Sequence, residues 1–300
     1  MTFEPPQRLM NALGEAHDEQ ADQWLKDLPQ LVQQAALRRE LTVERIQMPG
    51  GRSSLVALVR QPDGTPATLK LAPQRGRPEP ERAALTHWNG FGAVQLLGPD
   101  TGDGALLLER LRPEVSVRSL PESRALLEAA GTLRRLWIEP PPGRNCETVT
   151  ERTGRQSAAM RASVAAFPET APLVDAAVAI RDELVVLPPE TRLLHGTFRQ
   201  SKVLSAERMP WLAIGPDPVV GETAFDLARL VRDRVEDLIA SSTGASTTRR
   251  RVKKLAESLE VDQERLRGWT LFRAVESGVR ALRVGRPKDA ELLLEFAGWL

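Results

Sequence analysis

Residues 192–204 read RLLHGTFRQSKVL, and a second short apolar run, WLAIG, follows at residues 211–215. Each run begins as a short β-like segment and leads into a loop. Binding and catalytic groups usually lie where an element of a rigid scaffold ends in a loop. These two loops therefore predict the position of the functional site.

The segments on either side of these loops have the periodicity of helices. Leucines recur every three to four residues in PESRALLEAAGTLRRLW at 121–137, which is typical of a helix with one buried face. Two more helices are predicted at 156–167 and 173–187, and three or four within 223–300. The cluster SSTGASTT at 241–248 predicts a short linker between helices.

The first part of the chain mixes helical and strand patterns. A helix is predicted at 21–41, bent or split at Pro29. The segment SSLVALVRQPDGTPATLKLA at 53–72 predicts a β-hairpin, because its central Pro-Asp-Gly favours a turn. A helix is then expected to begin near Pro80 and end at Gly90.

Two apolar runs after this helix, AVQLL at 93–97 and GALLLERL at 104–111, predict strands. Beyond Pro113 the pattern becomes helical. We therefore predict an α+β chain with a boundary near residue 112, which separates a lobe at 1–111 from a mainly helical lobe at 112–300.

Composition excludes several classes of function. The 41 basic and 40 acidic residues nearly cancel, so the chain as a whole attracts neither nucleic acid nor an anionic membrane. The basic run TTRRRVKK at 247–254 has no interleaved aromatic residues, which favours a solvated helix face over a nucleic-acid site. One cysteine, Cys146, leaves no internal disulfide and fits a reducing compartment. Without an export signal or a long apolar span, we expect a cytoplasmic protein.

Several motifs together resemble the streptomycin-type branch of the aminoglycoside and hydroxyurea resistance kinases. They are ATLKLAP, the pattern E-x-x-A-L-x-x-W-x-G-x-G-A-V-x-L-L from Glu81 to Leu97, GALLLERLRP, LLHG followed by VL, WLAI, VGETAFDLARLVRDR and ERLRGWTLFRAV. The resemblance covers most of the chain. It implies a two-lobed, protein-kinase-like fold with an antiparallel sheet and helices in the first lobe.

The resemblance also implies nucleotide-binding residues in the first lobe. Lys70 matches a strand lysine that contacts the α and β phosphates, and Glu81 matches the helix glutamate that holds it. Without the surrounding motifs, a surface lysine and a solvated glutamate would be the simpler interpretation. Residues Glu109 to Leu111 match an inter-lobe hinge whose main-chain groups pair with an adenine edge.

The loop in which the family carries its catalytic groups departs from the family pattern H-G-D-x-x-x-x-N. Here it reads HGTFRQSK, so Thr197 replaces the base and Lys202 replaces a magnesium-binding asparagine. Gly215 of WLAIG replaces the aspartate that binds magnesium in the family. A threonine hydroxyl is no base near neutral pH, and an ammonium does not coordinate magnesium.

Other charged residues around these loops leave alternatives open. Asp217 and Glu222 are fallback candidates for a shifted metal site, or acids that stabilise the turn before a helix. Arg199 and Lys202 are candidates for binding an anion, or solvated loop residues.

The resemblance assigns His195 and Asp226 to the framework of the loop. Asp226 matches a buried aspartate that braces the loop through backbone hydrogen bonds, although an exposed helix acid remains the alternative.

These departures predict a pseudokinase, a module that binds a nucleotide, an anion or a protein partner without turnover. In this interpretation the cofactor is unknown, with ATP bound without magnesium as one candidate. The alternative is an active ATP-dependent phosphotransferase that acts on a hydroxyl of an aminoglycoside or a similar secondary metabolite.

Overall fold

The computed structural model describes residues 3–15, 18–143 and 146–300. The chain divides into two compact units. The N-terminal unit comprises Met1–Glu114 together with Ser205–Leu212, and the helical unit comprises Val115–Leu204 and Ala213–Leu300.

The N-terminal unit is built on an antiparallel four-stranded sheet with helices. Its elements are α1 (Gln7–Gly14), α2 (Glu19–Leu37), β1 (Thr42–Ile46), β2 (Leu55–Arg60), β3 (Pro66–Leu71), α3 (Pro78–Trp88) and β4 (Leu106–Glu109). The strands follow one another in the order β1-β2-β3-β4.

The hairpin between β2 and β3 has the turn that its sequence favours. The side chain of Asp63 accepts the backbone N–H of Thr65 at 2.8 Å, and Gly64 has a φ of 83°. Leu69 lies opposite Ala57 and Leu107 and is fully buried. Since side chains alternate along a strand, Lys70 lies on the face opposite to this core residue.

The remaining elements include most of the helices. They are β5 (Arg112–Ser116), α4 (Glu122–Leu136), α5 (Val149–Ser163), α6 (Ala171–Leu184), β6 (Arg192–Leu194), β7 (Val203–Ser205), β8 (Trp211–Ala213), β9 (Val219–Gly221), α7 (Thr223–Val231), α8 (Val235–Ile239), α9 (Gly244–Leu259), α10 (Gln263–Arg283) and α11 (Pro287–Ala297). Strands β5-β7-β8 form one small sheet, and β6 pairs antiparallel with β9.

Helix α10 is the centre of the helical unit. It packs against α5, α6, α7, α9 and α11. Its buried residues include Trp269 and Phe272, whose rings contact edge to face at 5.9 Å between centroids. Because this long helix is buried on several sides, it gives α7, which packs against it, a rigid support.

Several local expectations are corrected by the structure. Helix α2 continues through Pro29 and ends at Leu37, so the proline does not split it. Residues 93–97 form an isolated bridge from Leu96 to Leu108 and two backbone bonds to β4 without becoming a named strand. The expected linker at 241–248 is partly helical, since α9 begins at Gly244. Within the described ranges, we find no helix long and apolar enough to cross a membrane.

Candidate functional site

A tight loop, residues 195–202, follows strand β6, and Asp226 holds its backbone. Asp226 lies in the first turn of α7 and is completely buried. Its two oxygens accept the backbone N–H groups of His195 and Gly196 at 2.8 and 2.9 Å. Bonds to an ionised acceptor are stronger than neutral ones. The burial and the backbone bonds predicted for Asp226 are therefore confirmed.

Arg273 supports the same loop from helix α10. Its guanidinium donates to the carbonyl oxygens of Gly196 at 2.6 Å and Phe225 at 2.8 Å, and lies 4.1 Å from the centre of the Phe225 ring. Burial raises the pKa of Asp226, while the charge of Arg273 and the two backbone N–H groups act in the opposite direction. Sequence reasoning missed Arg273, although it lies in the motif ERLRGWTLFRAV.

Gly196 fits its place because it has no side chain. Its φ is 76°, which an L-residue rarely adopts. A Cβ at this position would overlap the backbone carbonyl oxygen of Asp217. The two segments are also joined by a hydrogen bond from the Asp217 N–H to the His195 carbonyl at 3.0 Å. The glycine therefore permits the close approach of the two loops.

His195 is a buried, neutral part of the framework. Burial lowers the pKa of His195 well below its usual range, and the charges of Lys202 and Arg229 act in the same direction. The backbone N–H of Thr197 donates to Nδ1 at 3.3 Å, and Nε2 lies 3.1 Å from the carbonyl of Ile214. These partners assign the ring proton to Nε2. A neutral imidazole with both nitrogens engaged positions the loop.

Thr197, Lys202 and Gly215, the three residues that depart from the family pattern, are in mutual contact. The ammonium of Lys202 donates to Thr197 Oγ1 and to the carbonyl oxygen of Gly215, both at 2.6 Å. Thr197 Oγ1 also lies 3.3 Å from the Gly215 carbonyl, to which it donates. The structure thus brings together all three positions around one positive charge.

The residues present do not fit the magnesium ion that the family resemblance implies. The Lys202 ammonium occupies the centre of the three positions, and a divalent cation beside it would be repelled. Asp217 pairs with Arg152 at 3.0 Å, and Glu222 pairs with Arg265 at 2.6 Å. In the part of the chain that the structure describes, no group of three or more acidic, histidine or cysteine side chains could hold a metal.

The Glu222 carboxylate is buried and already bonded to other side chains, so its role is structural. It is 2% exposed and accepts the indole N–H of Trp269 at 2.6 Å in addition to its two bonds from Arg265. Arg265 therefore ties the start of α7 to α10. Asp217 is more accessible, with 39% of its side chain exposed, and its partner Arg152 also donates to its carbonyl at 3.0 Å.

Arg199 lies at the start of the turn formed by Gln200–Lys202 and is half-buried. Gln200 fixes this turn, because its backbone N–H donates to Asp233 at 2.7 Å and its side chain accepts from Arg234 at 3.0 Å. Arg199 and Lys202 therefore lie in one fixed turn. Their joint binding of an anion stays a prediction.

In the N-terminal unit, Lys70 and Glu81 form the expected pair. The Lys70 ammonium lies 2.6 Å from Glu81 Oε1 and also contacts Oε2. Their side chains are 12% and 2% exposed. Glu81 lies in the first turn of α3, where the helix dipole favours a negative charge. The pairing is confirmed, and its nucleotide-binding role stays a prediction.

Glu109 and Leu111, the expected hinge residues, lie at and just after the end of β4. The Glu109 carboxylate accepts from Arg208 at 2.6 Å and from the Gln95 backbone N–H at 2.7 Å. Its own backbone N–H donates to the Gln95 carbonyl at 3.0 Å. Leu111 is buried. Sequence reasoning missed Arg208, which lies 99 residues from Glu109 along the chain.

The comparisons with known proteins agree with one another. Residues 39–285 match the family described as aminoglycoside/hydroxyurea antibiotic resistance kinase. A streptomycin 6-kinase of Streptomyces griseus is 35% identical over 96% of this chain and 96% of its own length. A streptomycin 6-kinase of Streptomyces glaucescens is 34% identical over 92% of this chain and 90% of its own length.

Solved structures show the same fold. An amicoumacin kinase, solved with AMP-PNP and Ca²⁺, superposes with a TM-score of 0.66 over 91% of this chain and 92% of its own, at 13% identity. The predicted α+β, protein-kinase-like fold is confirmed.

The prediction of a pseudokinase is wrong. It rested on Thr197, Lys202 and Gly215 alone, whereas the relatives that align over more than nine-tenths of the chain are named as kinases. This finding favours the alternative, an active phosphotransferase. Phosphoryl transfer must then be explained with the residues that the loop at 195–202 contains.

Proposed function

We propose, because the chain belongs to the aminoglycoside/hydroxyurea antibiotic resistance kinase family, that it transfers the γ-phosphate of ATP to an alcohol group. The acceptor is an aminoglycoside or a similar secondary metabolite, as in the streptomycin 6-kinases that resemble it. The observation that carries the proposal is the buried pair of Lys70 and Glu81. A lysine held in this way presents a fixed positive charge to phosphate oxygens.

The donor is ATP, bound without a metal ion held by the chain. Lys70 contacts the phosphates, Glu81 fixes the orientation of Lys70, and the backbone near Glu109 and Leu111 receives the adenine. This assigns residues 1–111 to nucleotide binding and residues 112–300 to the acceptor and the loop. ATP is a cytoplasmic metabolite, so the reaction takes place there.

Phosphoryl transfer requires little covalent participation by the protein. The acceptor oxygen forms a bond to the γ-phosphorus, the bond from that phosphorus to the bridging oxygen breaks, and ADP leaves. In a loose transition state the acceptor proton is still largely in place, and it passes to water as the ester forms. Thr197 then orients the acceptor hydroxyl by a hydrogen bond, without acting as a base. Positioning and charge neutralisation supply the catalysis.

A phosphorylation assay tests the proposal. The purified full chain is incubated with ATP and either streptomycin or hydroxyurea, and products are followed by ADP release and by mass spectrometry of the acceptor. We expect a phosphorylated product and a loss of about 10²- to 10³-fold in rate for Lys70→Met. A folded protein that phosphorylates neither acceptor, nor any aminoglycoside in a panel, would contradict the proposal.

A matched control separates Lys70 from a general effect of removing a lysine. Lys254 is exposed on α9, so Lys254→Met should keep the rate of the parent protein. Equal losses in Lys70→Met and Lys254→Met would also count against the assigned role of Lys70.

A further inference from the structure

We infer that Arg208 and the carboxylate of Glu109 are positioning residues that keep the main-chain carbonyl of Glu109 open to the exocyclic amino group of adenine. The inference rests on the proposed function for the identity of the nucleotide. It goes beyond that function by assigning a role to two side chains that act through the main chain of the hinge. All the residues that it uses belong to the N-terminal unit.

The starting observation is an exchange of hydrogen-bond partners at the end of β4. Segment 93–97 runs antiparallel to β4, with a bridge from Leu96 to Leu108. The Glu109 N–H donates to the Gln95 carbonyl at 3.0 Å. In a regular antiparallel pair the Gln95 N–H would return a bond to the Glu109 carbonyl, but here it donates to the Glu109 side chain at 2.7 Å. The carboxylate thus replaces the carbonyl of its own residue as the acceptor.

Arg208 holds the carboxylate in the position that this exchange requires. It lies in the turn between β7 and β8. Its Nε lies 3.0 and 2.9 Å from the two carboxylate oxygens of Glu109, and its Nη2 lies 2.6 Å from Oε1. Nη2 also donates to the carbonyl oxygen of Ala93 at 2.8 Å. Because a guanidinium has planar donors in a fixed geometry, it sets the orientation of the carboxylate as well as its place.

The next residue of the hinge is fixed from the other side of the strand. The Nε of Arg110 donates to the carbonyl oxygen of Ala67 on β3 at 3.1 Å, and its Nη1 pairs with Glu44 at 2.5 Å. Strand β4 lies between β3 and segment 93–97. The side chains of two successive hinge residues therefore bond to the two opposite neighbours of β4, which holds the main chain at 109–111 in one orientation.

This arrangement favours adenine over guanine. A main-chain carbonyl is a hydrogen-bond acceptor only. Adenine carries an amino group, which is a donor, where guanine carries a carbonyl oxygen, which is a second acceptor. Two acceptors that face each other leave both without a partner, at the cost of desolvation. The Glu109 carbonyl therefore selects for the amino group.

Calorimetric titration of the full chain with three probes tests the inference without turnover. ATP carries the amino group, purine riboside triphosphate has a hydrogen in its place, and inorganic triphosphate has no base. We expect the parent protein to bind ATP about 3- to 10-fold more tightly than purine riboside triphosphate, which is the size of one net hydrogen bond. Affinity for inorganic triphosphate reports the phosphate contacts alone.

Variants of the two side chains separate positioning from a general effect on the fold. Glu109→Ala and Arg208→Met should each bring the ratio of the ATP and purine riboside triphosphate affinities close to one, because the Gln95 N–H then turns to the Glu109 carbonyl. Both should bind inorganic triphosphate like the parent, whereas a merely structural role would weaken all three probes together. Glu109→Gln keeps an oxygen acceptor for Gln95 and should retain part of the preference.

Two further variants serve as controls. The combination of Glu109→Ala with Arg208→Met should lower the ratio no further than either change alone, since Arg208 acts through Glu109. Arg60→Met removes an exposed ion pair with Glu44 in the same unit and should keep the ratio of the parent. Thermal melting confirms that each variant is folded. Where Arg208→Met is not, Arg208→Lys, which cannot reproduce the planar set of donors, should still lower the ratio.

The outcomes separate this inference from the proposed function. A parent protein that binds ATP and purine riboside triphosphate equally, or folded variants at Glu109 and Arg208 that keep the preference, overturns the inference even if phosphoryl transfer is observed. The expected ratios support the inference even if no acceptor is phosphorylated. A parent protein that binds neither nucleotide overturns both.

Discussion

Replacing Gly196 by alanine tests how closely the two loops must approach. Gly196 has a φ of 76°, and a Cβ there would overlap the Asp217 carbonyl oxygen. The positive φ alone costs about 1 kcal/mol. Relieving the overlap also moves the loops apart, which weakens the bond from Asp217 to His195 by about 1 kcal/mol and those to Asp226 by about 1.5 to 3 kcal/mol. We expect a total loss of stability of about 3.5 to 5 kcal/mol.

Gly285 provides the matched control in the same unit. Its φ is 70°, and a Cβ there would meet no atom within 4 Å. Gly285→Ala therefore carries the backbone cost without the overlap. Thermal unfolding should show a fall in Tm of about 2 to 4 °C for Gly285→Ala and of about 7 to 20 °C for Gly196→Ala, at about 2 to 4 °C per kcal/mol. Equal shifts would refute the close approach of the loops.

Two further predictions concern ion pairs of the N-terminal unit. Glu81→Gln leaves the Lys70 ammonium without the partner that holds it, so we expect a loss of about 3 kcal/mol of stability in urea unfolding and weaker ATP binding. An unchanged midpoint would count against the burial of the pair. For Asp103, burial raises the pKa, but bonds from Arg39 and from backbone and hydroxyl donors outweigh it and hold the pKa well below its usual range. Its contribution to stability is complete above the unfolded pKa of 3.8 and is lost as the pH falls below it. Asp103→Asn should thus be destabilising at pH 7 and nearly neutral at low pH; a pH-independent difference would be inconsistent with this.

The local elements of the site were predictable from the sequence. The strand that carries Lys70 follows from the hairpin, because the Pro-Asp-Gly turn sets its position, while the assignment of Lys70 itself came from the family resemblance. Asp226 follows from the motif AFDLARL at the start of a helix. In both cases the information lies in residues close together along the chain.

Contacts between distant segments were not predictable. Arg273 reaches Gly196 from 77 residues away, and it does so because α10 is packed in the centre of the helical unit. The sequence pattern likewise does not predict the break between α7 and α8. Arg234 there has a φ of 58°, and its side chain bonds to Gln200 and to the backbone of Arg118 and Leu120. Tertiary bonds that hold a non-glycine residue at positive φ leave no local signal.

The central claim is that this chain transfers phosphate to an alcohol with the residues that its loop contains. Phosphorus NMR of a reaction with ATP and streptomycin tests it most directly, since ATP, ADP, inorganic phosphate and a phosphate ester give separate signals. We predict that a phosphate ester and ADP appear in equal amounts, in EDTA as well as in magnesium. A spectrum in which ATP persists, or in which only inorganic phosphate and ADP accumulate, would contradict the account.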